Sequence, residues 1–403
     1  MSRSMLFCVL VLLIALFGSA RGSEAVAAGA PAIPRSAGLP AEDLALLFRV
    51  MERVQAEYVD PKTGHEVVLD AVRGLLRSLD RHSALIERVD EGSLREAFAG
   101  EFGGIGVELQ LEATRLTVVR VFKDSPAAHA GIAKNDVITK IDGVPADSLT
   151  LPQSLAAIKG RPGTTVSLEL RKPGGNVLAL TLPRQMVRFR TVDITVIEHG
   201  IALAQISEFL DSTPYELLEG LEEASRAGKL RGVALDLRGN PGGVMESAVN
   251  VASLFLPPNR LVFSRVTRGD ATSSPVMTVD PNIKSPLRAD LLGIHLAVLI
   301  DAKSASASEI VASALQDHKR ARVIGCGHSY GKGTIQSIVP LTASTSLKIT
   351  TARYVTANGA AIESVGVTPD VVPKKDDCEK AVVAAATQVL RLSGSVAEAE
   401  RSR

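Results

Sequence analysis

The stretch Asp301-Ala-Lys-Ser-Ala-Ser-Ala-Ser-Glu309 follows an unbroken apolar run at 294–300 and opens a helical pattern over 306–316. A buried strand that turns directly into a helix is the building unit of an α/β layer. In such a layer, reactive groups gather at the carboxyl ends of the strands. Ser306 stands at such an end. A hydroxyl placed there is beside a helix N-terminus, whose N–H groups and positive partial charge favour a developing oxyanion. The same residues satisfy a capping box, in which Ser306 merely accepts the amide hydrogen of Glu309. The serine therefore carries chemistry only if a base is at hand.

Working outward, Gly232-Val-Ala-Leu-Asp-Leu237 reads as a second buried strand, 245–255 as a helix and 322–325 as a strand. From 187 onward strands and helices alternate, and 342–355 and 360–372 read as late β-strands. A polar, Ala-rich helix over 377–392 and a charged tail close the chain. Upstream, 103–182 packs many short strands (107–111, 116–121, 136–141, 165–170) and two small helices (125–132, 151–159) into a compact β-barrel-like module. Residues 41–79 turn helical. Leu44, Leu47, Val50, Met51 and Val54 share one face, and a second helical stretch at 67–79 ends near Asp80-Arg-His-Ser83. These helices are expected to pack on the main body or on another subunit.

The 403 residues are 46% hydrophobic and 22% charged, with Lys+Arg 45 against Asp+Glu 44. That balance fits an ordinary multi-domain chain with a sizeable core. No basic cluster exists to hold a phosphate backbone, and aromatic residues are only 3% of the chain. A nucleic-acid partner is therefore not expected. Arg3, the apolar run 5–17 and the small residues Gly18-Ser19-Ala20 and Ala25-Val26-Ala27 read as a cleaved signal peptide over 1–27. The run is too short to span a bilayer of about 30 Å. The expected product is exported, to the periplasm or another extracytoplasmic space. Only Cys326 and Cys378 remain after cleavage, either as free thiols or as one disulfide.

Which base could serve Ser306? None of the seven histidines lies in a recognisable catalytic context. His318 follows the serine helix, His328 lies in a loop, and the pattern His-Glu-x-x-His is absent. Lys332 is the other choice. Its neighbours Gly331 and Gly333 let the backbone approach closely, and burial without a paired carboxylate would keep its amine neutral. Gln336 could orient that amine without adding charge. Gly331-Lys332-Gly333 does not make a phosphate loop, because Cys326 stands where Gly is required and Gly333 where Ser or Thr is required. The third element is Leu235-Asp-Leu-Arg-Gly-Asn-Pro-Gly-Gly243, a strand ending in a glycine-rich turn. Gly242 or Gly243 there could donate a backbone N–H to an oxyanion.

Together these elements resemble the carboxyl-terminal processing (tail-specific) peptidase family, Ser-Lys peptidases that contain a PDZ domain. The resemblance runs from about 44 to 373. It rests on four motifs: 235–243, Ser304-Ala-Ser-Ala-Ser-Glu-Ile310 with Gln316-Asp317, Tyr330-Gly-Lys-Gly-Thr-Ile-Gln336, and Gly366-Val-Thr-Pro-Asp370. It implies Ser306 as nucleophile, Lys332 as general base and Gln336 as the residue orienting the lysine. Backbone amides of Ala307, Gly242 and Gly243 become oxyanion donors, and Asp317 a structural aspartate. It also implies that the module near 103–184 is a PDZ domain. Such a domain takes an extended peptide by β-augmentation and captures its terminal carboxylate. Gly103, Gly104, Ile105, Gly106 and Val107 form the matching carboxylate loop, and Leu155 and Ile158 wall an apolar pocket.

The implied fold class is α/β and multi-domain: a peptidase core of strand-helix alternation, an inserted PDZ domain and N-terminal helices. Its expected divisions are a signal peptide 1–27, a linker 28–40, a helical region 41–95, a PDZ domain 96–185, a peptidase core 186–375 and a helix with tail 376–403. No metal or cofactor is implied. The expected partners are protein or peptide substrates with accessible C-termini, an activator or adaptor protein, and further copies of the chain. The rival reading is a PDZ scaffold that binds tails without cutting, and it would be marked by a missing Ser or Lys. A Ser-His-Asp esterase is a weaker rival, since no Gly-x-Ser-x-Gly elbow surrounds Ser306.

Three positions depart from the family pattern. The loop Cys326-Gly-His-Ser-Tyr330 carries one residue more than expected. Asn135 stands where Gly is usual, and tolerates the left-handed conformation best after Gly. Arg81 replaces the usual Pro in Leu-Asp-x-His-Ser, with an effect expected in the N-terminal region only.

Overall fold

The computed structural model describes residues 38, 40–87, 100–112, 114–228, 230–269, 273–280, 285–342, 345–373 and 378–401. The expected signal peptide at 1–27 and nearly all of the expected linker at 28–40 lie outside the described residues. The chain begins with two helices, α1 (Ala41–Glu57) and α2 (Gly64–Leu79). A complete capping box starts α2, with the Thr63 side chain on Glu66 N–H and the Glu66 carboxylate on Thr63 N–H. No residue of α1 is fully buried. Leu44, Met51 and Val54 are half-buried, while Leu47 and Val50 face solvent. Strand β1 (Ala84–Glu87) follows.

The second region holds β2 (Glu101–Gly104), β3 (Val107–Glu112), β4 (Arg115–Val121), α3 (Pro126–His129), β5 (Val137–Ile141), β6 (Val144–Pro145), α4 (Leu151–Ile158), β7 (Thr165–Arg171), β8 (Val177–Pro183) and β9 (Gln185–Arg188). Strands β3-β4-β5-β7-β8 form one sheet, with β6 beside β5. Alternate residues such as Leu116 and Val118 or Val166, Leu168 and Leu170 point into one core, which Ile158 of α4 completes. Asn135 adopts φ 73°, the left-handed turn expected of it. Strands β2 and β9 pair antiparallel and close the module at its base.

The third region runs through β10 (Val192–Ile197), β11 (Ile201–Ile206), α5 (Thr213–Ala227), β12 (Gly232–Asp236), α6 (Met245–Phe255), β13 (Leu261–Thr267), β14 (Ser274–Met277), α7 (Arg288–Gly293), β15 (His295–Ile300), α8 (Ala307–Asp317), β16 (Arg322–Gly325), β17 (Thr334–Thr342), β18 (Thr345–Thr356) and α9 (Cys378–Arg401). A central sheet has the order β10-β11-β12-β15-β16. All its pairs are parallel except the edge pair β10–β11. Both faces are covered, which explains the unbroken apolar runs of β12 and β15. Val233, Leu235, Val298 and Ile300 face the core shared with α5, α6 and α8. Ala234, Ala297, Leu299 and Ile324 face Val382, Ala386 and Leu390 of α9. A second, antiparallel sheet, β1-β18-β13-β14 with β17 on β18, packs over α8.

Two features differ from the sequence reading. Residues 360–372 are not a strand. They make only the isolated bridges Val355–Ala361 and Ile324–Val371. Their other backbone groups bond to Val323 of β16, to the turn at Ile362 and, through Ser364 and Val367, to the loop that carries Lys332. The N-terminal segment also supplies β1 to the core's antiparallel sheet, so it is more than a helical appendage. At the other end, Cys326 and Cys378 are joined by a disulfide that fastens α9 to the loop after β16.

The cross-link spans a sequence separation of 52, so removing it enlarges the unfolded ensemble. The double variant Cys326→Ser/Cys378→Ser should lose about 2–4 kcal/mol of stability in non-reducing denaturant titrations. A loss below about 0.5 kcal/mol would show that the bond contributes nothing.

Candidate active site

Strands β12 and β15 lie side by side, Leu235 opposite Val298 and Asp236 opposite Leu299. Both chains turn at the same end of the sheet, and each turn is locked to the other. Asp301 is the main fastener: its Oδ1 accepts from Gly239 N (3.0 Å), Lys303 N (2.9 Å) and Ser304 N (3.0 Å). Ser304 Oγ donates to Leu237 O at 2.8 Å. Asn240, fully buried, accepts on its backbone O from Ala305 N and Ser308 Oγ, both at 3.0 Å. Its side chain donates to Ile206 O at 2.8 Å.

These bonds bring the glycine turn against Ser306. A Cβ on Gly242 would lie 2.8 Å from the Ser306 Cβ and 2.8 Å from Ala305 O, and Gly242 has φ 107°. No other residue fits there. The Gly242 N–H is taken by Asn240 Oδ1 at 2.8 Å, so in this conformation it is not open to a ligand. The N–H groups of Gly243 and Ala307, by contrast, have no partner among the described residues. Of the three amides singled out as oxyanion donors, two are open and one is engaged.

Ser306 is 3% exposed and precedes α8 with φ 56° and ψ −113°. An ordinary N-cap sits in the β region, and a non-glycine residue at positive φ is strained by about 1–3 kcal/mol. The surroundings over-determine it. Ser306 N–H donates to the Glu309 carboxylate at 2.7 Å, the reverse half of the capping box from the one read in the sequence, where the Ser306 hydroxyl accepts the Glu309 amide. Glu309 is 0% exposed and does more than cap. Its two oxygens also accept from Ser329 Oγ (2.5 Å), Gly331 N (2.7 Å) and Lys332 N (2.9 Å). One carboxylate thus joins the serine turn to the lysine loop.

A second clamp works from the carbonyl side. The Tyr354 hydroxyl donates toward Lys332 O (2.8 Å) and Ser306 O (3.3 Å). Tyr354 lies on β18, fully buried, and burial pushes its phenol well above the usual range, so it remains a donor. Sequence reading found neither clamp. Glu309 was visible only as the last residue of a capping box, and Tyr354 carried no signal at all.

Lys332 lies between Gly331 (φ 82°) and Gly333, whose Cβ would meet Glu363 N at 2.5 Å. Gly333 N–H donates to the Glu363 carboxylate at 2.8 Å, and Ser364 N–H to Gly331 O at 2.9 Å. Burial brings the Lys332 amine down to about 8, Lys348 adds to that shift, and Glu309 and Glu363 oppose it. Among the described residues no carboxylate forms an ion pair with this amine, and no hydrogen bond joins it to the Ser306 hydroxyl.

Gln336 is 1% exposed and sits where the β17–β18 pairing shifts register, Ile335 opposite Ala352 and Gln336 opposite Thr350. Its Nε2 donates to Thr334 Oγ1 (3.1 Å) and Thr350 Oγ1 (3.2 Å), and its Oε1 has no partner among the described residues. Ser306, Gln336, Met245, Ile310, Thr334, Ile335 and Tyr354 line a cavity of about 10 Å³, the room of one water at most.

The remaining residues fall elsewhere. Asp317 Oδ2 accepts from Asn358 N at 2.9 Å, a structural bond. His318 donates to Leu261 O at 2.7 Å, and His328 pairs with Thr368 Oγ1. Neither histidine lines the cavity. Arg81 is a correction. It lies over the Tyr330 ring, 4.8 Å from the centroid, so its effect is not confined to the N-terminal region.

In the module at 103–182, Gly103 and Gly104 end β2 and Val107 begins β3. Ile105 O accepts from Ala127 N (2.9 Å) and Gly106 O from Phe122 N (3.0 Å). The N–H groups of Ile105 and Gly106 have no partner among the described residues. Gly160, just past α4, donates to Gly103 O at 3.1 Å, so the loop and the helix carrying Leu155 and Ile158 meet. Ile158 is buried and Leu155 half-buried in the module's core.

Comparison with known proteins adds the following. The profile of peptidase family S41 matches residues 200–372, and that of the PDZ domain matches 103–182. A carboxy-terminal-processing protease of Bartonella bacilliformis is 35% identical over 344 residues, covering 84% of this chain and 77% of its own. The carboxy-terminal processing protease CtpA of Bacillus subtilis is 28% identical over 335 residues, covering 83% and 70%. Among solved structures, a photosystem II D1 C-terminal processing protease is 26% identical and covers 84% of this chain and 96% of its own, with a TM-score of 0.44.

Glu309→Gln keeps the shape but exchanges one acceptor for a donor facing other donors. It should cost about 1–3 kcal/mol of stability and at least tenfold in peptidase activity, read by denaturant titration and by reporter cleavage. Unchanged activity would show that the clamp is not needed to align the two segments.

Proposed function

The chain belongs to peptidase family S41, and on that premise we propose how it cuts, with Ser306 as nucleophile and Lys332 as general base. It is a serine-type carboxy-terminal processing peptidase with a PDZ domain. The observation that carries the reading is the Lys332 amine. It is half-buried, forms no ion pair with a carboxylate among the described residues and is held near 8 by desolvation. Its backbone is clamped to that of Ser306 by Glu309 and Tyr354.

In the proposed reaction, neutral Lys332 takes the hydroxyl proton as Ser306 Oγ bonds to the substrate carbonyl carbon. The carbonyl oxygen becomes an oxyanion, held by the N–H groups of Gly243 and Ala307. The lysine then passes its proton to the leaving amine as the peptide C–N bond breaks. A water attacks the acyl-enzyme, Lys332 takes its proton, and Ser306 is released with its hydrogen restored. Gln336 Oε1, buried and without a partner among the described residues, is proposed as the acceptor that orients the lysine amine. The small cavity and the absent Ser306–Lys332 hydrogen bond fit a resting state that substrate must open.

The tail of the substrate is taken by the PDZ domain. Open N–H groups of Ile105 and Gly106 suit a terminal carboxylate, and the wall of α4 suits an apolar last residue. The protein is exported after loss of residues 1–27, and a disulfide suits an oxidising compartment. Leu46, Leu47, Phe48, Leu75 and Leu79 are exposed on α1 and α2, and supply an apolar surface for a homo-oligomer.

The test uses mature protein and an unstructured reporter ending in an apolar residue. Wild type should cleave it, Ser306→Ala and Lys332→Ala should not, and a charged final residue should slow cleavage. Tail binding without cleavage by wild type would instead favour a scaffold or a missing activator. Because the base must be neutral and Lys332 is depressed to about 8, activity should rise through about pH 8 and hold above it. A bell centred near pH 6 would overturn the lysine base.

A further inference from the structure

Four groups of elements face Lys332. From α8 comes Glu309, from the segment after β18 comes Glu363, from β18 comes Lys348, itself faced by Asp80, and from the connection between α2 and β1 come Arg81 and His82. The last group is the unexpected one, since it arrives from a region some 250 residues away in sequence.

The connection is fixed tightly. Asp80 Oδ1 accepts from His82 N (2.6 Å) and Ser83 N (2.7 Å), and Ser83 Oγ donates to Asp80 Oδ2 (3.0 Å). Ser83 Oγ in turn accepts from Thr350 N at 3.2 Å. Beyond it, β1 pairs with β18, Ala84 opposite Lys348. The turn therefore cannot slide, and Arg81 is delivered to the lysine loop. Its guanidinium lies over the ring of Tyr330, two residues before Lys332. Arg81 Nε also donates to His82 Nε2 at 3.3 Å. That bond needs a neutral imidazole, and burial first, then Lys332 and Arg81, hold His82 below its usual value. Tyr330 itself is anchored by its N–H on Ser304 O at 2.9 Å. The arm thus reaches both the serine turn and the lysine loop through one stacked pair.

We propose that Arg81 is a positioning residue for the reaction at Ser306: seated on Tyr330, it holds the lysine loop from the N-terminal arm and sets the charge that the Lys332 amine faces. This rests on the reading of Lys332 as the base. A proline at position 81 would offer neither the stacking nor the charge. Lys348, Arg81 and burial favour the neutral amine, while Glu309 and Glu363 favour the charged one. Arg81 is exposed to solvent, so its effect is modest and salt-sensitive.

The experiment compares Arg81→Gln and Arg81→Lys with wild type in the mature chain, reading kcat/KM against pH at low salt and at high salt. Arg81→Gln removes a positive neighbour, so the amine holds its proton to higher pH. The rise in activity should move up by about 0.3–0.5 pH units at low salt and return toward wild type at high salt. Arg81→Lys should stay close to wild type. In parallel, the pH dependence of Lys332 acetylation by acetic anhydride is read by mass spectrometry in a Ser306→Ala background, with and without Arg81→Gln.

Unmoved acetylation and activity profiles in Arg81→Gln would overturn the inference. So would equal losses in Arg81→Gln and Arg81→Lys with no shift, since that is a purely structural role. A shifted acetylation curve with an unshifted activity curve would support the influence of Arg81 on the amine while removing Lys332 as the base. That outcome separates a failure of this inference from a failure of the Ser-Lys reading.

Discussion

A carboxylate with no exposure to water must have its lone pairs filled by donors, or the protein bears an uncompensated buried charge. Glu309 meets that demand with four donors drawn from both sides of the site: the serine turn and the lysine loop. Neither segment can drift without stranding the charge. Tyr354 repeats the arrangement with carbonyls, so Ser306 and Lys332 are each held at both their N–H and C=O groups. The cost of burying these polar groups is offset only when all partners are in place, which makes their relative position nearly all-or-none.

The sheet topology explains why these groups meet at all. Parallel neighbours β12 and β15 turn at the same end, the carboxyl end at which α/β sheets gather their reactive groups. What is particular here is how close the two turns come. Asp301, Ser304 and Asn240 bind them into one unit, and Gly242 allows contact that any Cβ would prevent. Asn240 also decides which amides stay open. It engages Gly242 N–H, while the N–H groups of Gly243 and Ala307 have no partner among the described residues.

The ends of the chain support this centre from outside. The N-terminal arm contributes β1 to the antiparallel sheet and delivers Arg81 to Tyr330. The C-terminal helix covers the far face of the central sheet and is bonded through Cys378 to the loop leading to Lys332. The PDZ domain joins through the β2–β9 ribbon, and Phe189 N–H donates to Gly100 O at 2.7 Å where the two strands leave it. Arg120 of that domain lies over the rings of Phe122 and Phe189, 4.8 and 4.7 Å from their centroids, so the junction is packed as well as paired.

By itself, the sequence determined the layered α/β core, the small β-rich module, and Ser306 at a strand-to-helix turn. Each of these is written in local pattern: apolar runs of strand length, period-2 alternation, and glycines where the backbone must turn or approach closely. The Gly-Lys-Gly setting of Lys332 and the left-handed Asn135 were legible for the same reason. Segment 360–372 was misread because alternation cannot tell a strand from a loop whose polar groups are satisfied by a distant element. Only the tertiary structure decided the long-range pairings. Tyr354 and Glu309 acquire their roles from partners 20 to 50 residues away, Arg81 from one about 250 residues away. It also decided the disulfide and the division of amides between Gly242 and Gly243. These depend on distances between turns, and no local pattern encodes a distance across the fold.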